Sequence, residues 1–158
     1  MAGFSGNKML LQLPATHDAT TYVTVAALRN TSWNINKTSI DATTKDGNGW
    51  SEFVEGGGLK TVNFTADGVW TSNTVGLVDG PDADTTANDR MGHGTLQSAA
   101  FTSANHYNAR IIMGDGGDAS SLTGRFHVDS LTRTGELNGL DTFSVTMTSS
   151  GTVTWAAT

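Results

Sequence analysis

Apolar and polar residues alternate along much of this chain, and the alternation predicts β-strands. In SWNINKTSI, Trp33 and Ile35 fall on one side of a strand, and the asparagine that follows each of them falls on the other. LKTVNFTADGVW has the same period, with Val62 and Phe64 in phase. In the last third the apolar residues occupy odd positions, at Phe143, Val145, Met147, Val153 and Trp155. With the short apolar runs at residues 9–13, 22–28 and 109–113, the pattern predicts about six or seven strands.

The alternation breaks once inside a strand, in GRFHVDSLTRTG. Phe126 and Val128 alternate, but Leu131 continues the phase only if one residue near Asp129 and Ser130 is spare. A spare residue in one strand of an antiparallel pair is a β-bulge. We therefore predict a bulge at this point.

The apolar spacing changes in TLQSAAFTS, which predicts a short helix over about residues 95–103. The residues that would face the core recur at helical spacing, at Leu96, Ala99, Ala100 and Ser103. We place the start of the helix after Gly94, because a glycine inside a helix costs about 1 kcal/mol relative to alanine.

Two segments lack a regular period and are predicted as loops. Residues 41–58 separate two strands and are longer than a plain hairpin connection usually is. Residues 76–94 carry four Asp before Arg90 and are predicted as an acidic loop. All these features predict a mainly β chain, a β-sandwich or β-barrel with one short flanking α-helix, as a single domain over residues 1–158.

The charge balance argues against tight nucleic-acid binding. The chain has 9 Lys and Arg against 15 Asp and Glu, a formal net charge of −6, whereas a nucleic-acid groove concentrates Lys and Arg. There are no cysteines, which excludes disulfides and thiolate metal sites. The apolar run Met9–Leu13 is too short for a signal-peptide core or a membrane span, so we expect no membrane anchor.

Motifs for catalysis or ligand binding are weak. The segment KDGNGWSEFVEGGG, residues 45–58, fails as an EF-hand because Trp50 takes a ligand position, and no Walker or GxSxG motif occurs. The histidines are scattered, at His17, His93, His106 and His127. His127 and Asp129 share a strand face and could form an acid–base or metal-binding pair. We expect no catalytic residues, no cofactor and no metal.

Residues 25–70, VAALRNTSWNINKTSIDATTKDGNGWSEFVEGGGLKTVNFTADGVW, resemble the signature region of the major tail proteins of long-tailed bacteriophages and related gene transfer agents. The C-terminal stretch from Leu96 to Trp155 resembles the same family, so the likeness covers nearly the whole chain outside residues 76–94. The most specific matches are Ala27-Leu28-Arg29, Asp41-x-Thr43 with Gly49-Trp50-x-Glu52, and Phe143-x-Val145 with Ser150-Gly151.

This resemblance implies a structural virion protein, made in the cytoplasm of the bacterial host, that forms hexameric rings stacked into a hollow tail tube. DNA would pass through the tube into the host without specific binding, and no reaction would be catalysed. The implied partners are copies of the chain itself and the tail terminator, distal tail and tape measure proteins. The polar strand faces and the acidic balance suit the wall of such a channel, because negative potential repels phosphate.

In a stacked tube, the loop of residues 41–58 is predicted to reach the next ring, and its glycines would keep it mobile in the free subunit. Trp50 and Phe53 would supply an apolar anchor there. The residues predicted for this inter-ring contact are Lys45, Asp46, Trp50, Glu52, Phe53 and Glu55.

The main alternative is a carbohydrate- or cell-surface-binding β-sandwich in which four tryptophans, Trp33, Trp50, Trp70 and Trp155, stack on sugar rings. The phase of Trp33 and Trp155 favours core packing for those two instead. A small β-barrel hydrolase and a secretion-system tube protein are further alternatives.

Overall fold

The computed structural model describes residues 9–14, 19–25, 27–44, 50–71, 77–78, 90–102, 107–114 and 120–157. These residues contain ten strands and one helix. The strands are β1 Leu10–Pro14, β2 Tyr22–Thr24, β3 Leu28–Lys37, β4 Lys60–Val69, β5 Leu77–Val78, β6 Arg90–Met91, β7 Tyr107–Met113, β8 Ser120–Thr134, β9 Thr142–Ser149 and β10 Thr154–Ala157, and the helix is α1 His93–Phe101.

Eight strands form one antiparallel sheet in the order β2-β1-β7-β8-β9-β4-β3, with β10 paired to β8. The strand β8 is long enough to pair with β9 through residues 126–134 and with β10 through residues 120–123. The sheet curls, so that the Thr31 hydroxyl in β3 donates to the Met9 carbonyl next to β1 at 3.2 Å. The result is a half-barrel, and the predicted mainly β fold with one helix is confirmed.

The core lies on the concave side of the sheet and follows the predicted alternation. Phe64 and Ala66 of β4 are buried, and so are their partners in β9, Met147 and Val145. Facing residues of antiparallel strands share a side of the sheet, so the period of two in each strand adds to one continuous apolar face.

The predicted bulge is present in β8. Val128 pairs with Met147, and the next pair is Ser130 with Thr146, so Asp129 is the spare residue. The bulge restores the phase and returns Leu131 to the partly buried residues packed on the core.

The helix begins two residues earlier than predicted, at His93, and Gly94 lies inside it. The cause is tertiary packing. The buried His93 ring lies 5.3 Å from the Trp70 ring and 4.3 Å from the Phe143 ring, and its Nδ1 accepts a hydrogen bond from the Thr71 N–H at 3.1 Å. Fixing this ring outweighs the cost of about 1 kcal/mol for a helical glycine.

The core-facing side of α1 is narrower than predicted. Leu96 and Ala99 are buried as expected, whereas Ala100 is exposed and Ser103 lies outside the described residues. The helix packs against the sheet over β8, and Ala100 lines an open groove between the two with Val128 and Leu131.

The predicted acidic loop of residues 76–94 is too long. Strands β5 and β6 pair with each other inside it, and α1 begins before its end. Both strands are two residues long, too short to show a period in the sequence. Residues 79–89, with the four Asp, lie outside the described residues.

Candidate assembly surfaces

The segment between β3 and β4, residues 38–59, forms a projection that we call the long arm. Its described parts are residues 38–44 and 50–59. Three backbone N–H groups donate across it, those of Thr38, Ala42 and Val54, to the carbonyls of Leu59, Glu52 and Ile40, at 2.9, 2.8 and 3.0 Å. The arm therefore continues the β3–β4 pair as a hydrogen-bonded ribbon, which is more order than the sequence predicts.

Side chains brace this ribbon at its centre. Asp41 Oδ1 accepts from the Thr43 N–H at 2.8 Å, and Thr43 Oγ1 accepts from the Glu52 N–H at 3.0 Å. The hydrogen bonds from Thr43 hold the pKa of the Asp41 carboxyl below its ordinary value. The Asp41-x-Thr43 motif thus shapes the arm.

The arm exposes large apolar side chains. Trp50 is 79% exposed and Phe53 is 58% exposed, and Ile40, Val54 and Leu59 are also exposed. Clusters of exposed apolar side chains are typical of surfaces that bind a partner. Among the residues predicted for the inter-ring contact, Trp50, Glu52, Phe53 and Glu55 are all exposed on the returning side of the arm, and Lys45 and Asp46 lie outside the described residues.

A second surface is the outer side of strands β3, β4, β9 and β8, which we call the polar face. Its residues are in register across the strands, in rows of Asn34, Asn63, Thr148 and His127, then Ser32, Thr65, Thr146 and Ser130, then Asn30, Asp67, Ser144 and Thr132. Most carry a hydroxyl or an amide. These twelve positions include no Lys or Arg.

A hydrogen-bonded network crosses the polar face at the bulge. His127 Nε2 lies 2.6 Å from Asp129 Oδ1, and the Thr148 hydroxyl contacts both the Asp129 carboxylate and Asn63 Oδ1, the latter at 3.0 Å. The network ties β8 to β9 and β4. The predicted His127–Asp129 pair forms, but the part of the chain that the structure describes has no group of three His, Cys, Asp or Glu side chains that could hold a metal.

The tryptophans divide into two classes. Trp70 is buried and Trp33 is partly buried against the core, which argues against sugar stacking by either. The prediction that Trp155 lies in the core is wrong, because it is 63% exposed. Trp155 pairs with the buried Leu122 and so lies on the core side of the sheet, but β10 is an edge strand and leaves it uncovered.

Trp155 and the arm line one groove. Ile35, Leu59 and Val153 complete its apolar wall beside the base of the arm. Ile35 pairs with the buried Val62 and is exposed for the same reason as Trp155, since β3 is also an edge strand. Sequence phase placed both residues on the right side of the sheet and gave no information on what covers them.

None of the helical residues that the structure describes forms a segment long and apolar enough to cross a membrane. The N-terminal apolar run that was too short for a span is strand β1.

The half-barrel fold is shared with solved tail subunits. The chain is similar to a subunit in the tail of an empty gene transfer agent particle with C6 symmetry, with a TM-score of 0.72 and 22% identity over 98% of this chain and 100% of that one. It is also similar to a chain in the virion of a native gene transfer agent, with a TM-score of 0.69 and 23% identity over 98% of this chain and 100% of that one. The SPP1 tail tube protein has a TM-score of 0.62 and 9% identity, over 99% of this chain and 80% of that one.

No curated protein matches the chain. The family model for phage tail tube proteins matches residues 3–78 and 82–155, which is nearly all of it. The chain belongs to the phage tail tube protein family. It is a structural component of the tail tube in the virion, as the resemblance predicts.

Proposed function

We propose that copies of this chain form hexameric rings, which stack head to tail into a hollow tube for delivery of DNA into the bacterial host. The C6 symmetry of the gene transfer agent tail supports six subunits per ring. Stacked identical rings need a heterologous contact, in which two different surfaces of the subunit meet and the contact repeats along an open filament. The further partners we propose are the tail terminator and distal tail proteins at the tube ends and the tape measure protein inside it.

The long arm supplies one of these two surfaces. The observation that carries this proposal is the exposure of Trp50 and Phe53 on a ribbon that backbone hydrogen bonds already hold in shape. A preformed ribbon loses less conformational entropy on binding than an irregular loop. Trp50 and Phe53 are the apolar anchor, Glu52 and Glu55 are charged contacts beside it, and Lys45 and Asp46 extend the contact.

The polar face lines the channel. Hydroxyl and amide side chains keep such a wall hydrated, and the absence of Lys and Arg from its twelve positions avoids ion pairs with phosphate. Asp67 and Asp129 add negative charge that repels the DNA backbone. The DNA is then free to slide without specific binding. The structural role requires no enzymatic activity.

Substitution of Trp50 tests the arm. Because the side chain is 79% exposed, Trp50→Ala should change the free energy of unfolding by no more than about 0.5 kcal/mol, and we expect a folded subunit that no longer grows tubes. Trp50→Phe keeps an aromatic anchor and should assemble. Thermal unfolding measures the stability of the subunit, and negative-stain microscopy measures tube growth. Tubes of normal length from Trp50→Ala would contradict the proposal.

A further inference from the structure

The part of the sheet formed by β8, β9, β4 and β3 has two different ends. The long arm leaves the end where β3 stops and β4 starts. The turn between β8 and β9, residues 135–141, lies at the opposite end, because Thr134 pairs with Thr142, and Thr142 pairs with Val69 at the end of β4. We call residues 135–141 the hairpin tip.

The hairpin tip exposes two leucines. Leu137 is 100% exposed and Leu140 is 59% exposed. Turns favour polar residues and glycine, and an exposed apolar pair carries a solubility cost. The subunit therefore has apolar side chains at both ends of the same four strands, on the arm and on the hairpin tip.

The base of the hairpin tip is held firmly in place. Arg133 Nε donates to Asp141 Oδ2 at 2.7 Å, and the Arg133 guanidinium lies 4.4 Å from the centre of the Trp70 ring. The Trp70 backbone N–H donates to the Asp141 carbonyl at 2.7 Å. These contacts attach the turn to a buried tryptophan, so the leucines project from a fixed base, as an interface anchor requires.

One exposed cation at this end, Arg29, is of opposite charge to the acids of the arm. Arg29, at the start of β3, is exposed and lines a groove at the base of the hairpin tip, where the polar face ends at Asp67, Ser144 and Thr132. The acids at this end are Asp141, which is bonded to Arg133, Asp67, which accepts from the Asn30 side chain at 2.9 Å, and Glu136, which is exposed in the hairpin tip. On the arm, Glu52 and Glu55 are exposed beside Trp50 and Phe53.

We propose that the hairpin tip and Arg29 form the surface that receives the long arm of a second copy of this chain in the next ring. Leu137 and Leu140 pack against Trp50 and Phe53 of that copy, and Arg29 faces its acidic residues. This inference rests on the proposed role of the arm and adds the opposite half of the contact. The two halves lie at opposite ends of the subunit, as a contact that repeats along a tube requires.

Cross-linking tests the pairing directly, because the natural chain has no cysteine. Ser51→Cys on the arm and Asn138→Cys on the hairpin tip place one thiol on each exposed surface. Assembled tubes of the double variant are treated with a short bis-maleimide and run on a denaturing gel. Each single variant can give linked pairs at most, whereas the double variant should give a ladder.

The length of the ladder identifies the contact. Cross-links between rings join chains along the tube and should give products of more than six chains, whereas cross-links within a C6 ring give products of at most six chains. We expect bands well beyond six, together with at least a tenfold loss of tube yield for Leu137→Ser/Leu140→Ser and normal yield for Leu137→Met/Leu140→Met. A ladder that ends at six, or linked pairs alone, overturns the pairing. It leaves the role of the arm intact, which Trp50→Ala tests separately.

Discussion

Gly58 controls how the long arm joins the sheet. Its φ is +93°, and a Cβ at this position would lie 1.6 Å from the Thr38 carbonyl oxygen. The same strand pair is closed by two hydrogen bonds, from the Thr38 N–H to the Leu59 carbonyl at 2.9 Å and from the Leu59 N–H to Thr38 Oγ1 at 2.8 Å. Gly58→Ala must therefore separate the two sides of the arm at its base.

The expected cost of Gly58→Ala follows from these contacts. Backbone strain in the left-handed region contributes about 1–2 kcal/mol, and the two lost hydrogen bonds contribute about 1 kcal/mol each. Gly56 provides a matched control, because its φ of +71° is also left-handed but a Cβ there meets nothing within 4 Å. Both variants carry the backbone strain, so they differ by the two hydrogen bonds. The difference is about 2 kcal/mol in the free energy of opening the arm, or about 30-fold in the opening equilibrium.

Hydrogen exchange measures this opening. The amides of Ala42 and Val54 donate across the arm, and we expect them to exchange about 30-fold faster in Gly58→Ala than in Gly56→Ala. Amides between β4 and β9 should exchange at the same rate in both variants. We also expect Gly58→Ala to lose tube growth. Equal exchange of the arm amides in the two variants would refute the argument that the close approach to Thr38 holds the arm.

Three further predictions test the channel, the ring contact and the hairpin tip. Asp67→Lys should slow DNA release from assembled particles, whereas Asp67→Asn should have a much smaller effect; equal release rates would argue against a channel position. Glu52→Lys and Arg29→Glu should each reduce tube yield, and the combined variant should recover it, because attraction between the rings is restored. A low tube yield from the combined variant would show that Glu52 and Arg29 do not face each other. The Arg133 guanidinium holds the pKa of Asp141 below its ordinary value of 3.8, so this pair stabilises the fold above that pH and is lost as the pH falls through the lowered pKa. Asp141→Asn should accordingly lower the thermal midpoint at pH 7, by an amount that shrinks as the pH drops below 3.8, and a pH-independent difference would exclude the ion pair as its cause.

The strands and the bulge could be predicted from the sequence because local alternation reports them directly. One residue out of phase at Asp129 is enough to locate the bulge. The start of α1 could not be predicted in this way, because the burial of the His93 ring against Trp70 and Phe143 joins segments that are far apart in the sequence. The strands β5 and β6 are too short to carry a period.

Of the two surfaces in the candidate contact, only the long arm could be predicted from the sequence. The length of the arm and the unusual position of Trp50 among glycines identify it in the sequence, but its ribbon pairing depends on the geometry of Thr43 and Glu52. The sequence gives no prediction for the hairpin tip, because residues 135–141 have neither a strand period nor a helical one. The available signal was the pair Leu137 and Leu140, since leucine in a turn has nothing within the turn to pack against.

The misplacement of Trp155 separates two kinds of information in an alternating strand. Phase determines which side of the sheet a residue takes, and here it was right for both Trp155 and Ile35, whose partners Leu122 and Val62 are buried. Coverage of that side depends on whether a further layer lies over it, and phase carries no information about this. In a subunit that assembles with copies of itself, the layer can belong to another molecule. Trp155 and Ile35 are in phase with the core but exposed on edge strands of the single subunit. At such positions the sequence pattern reflects burial in the assembly, which the structure of one subunit does not show.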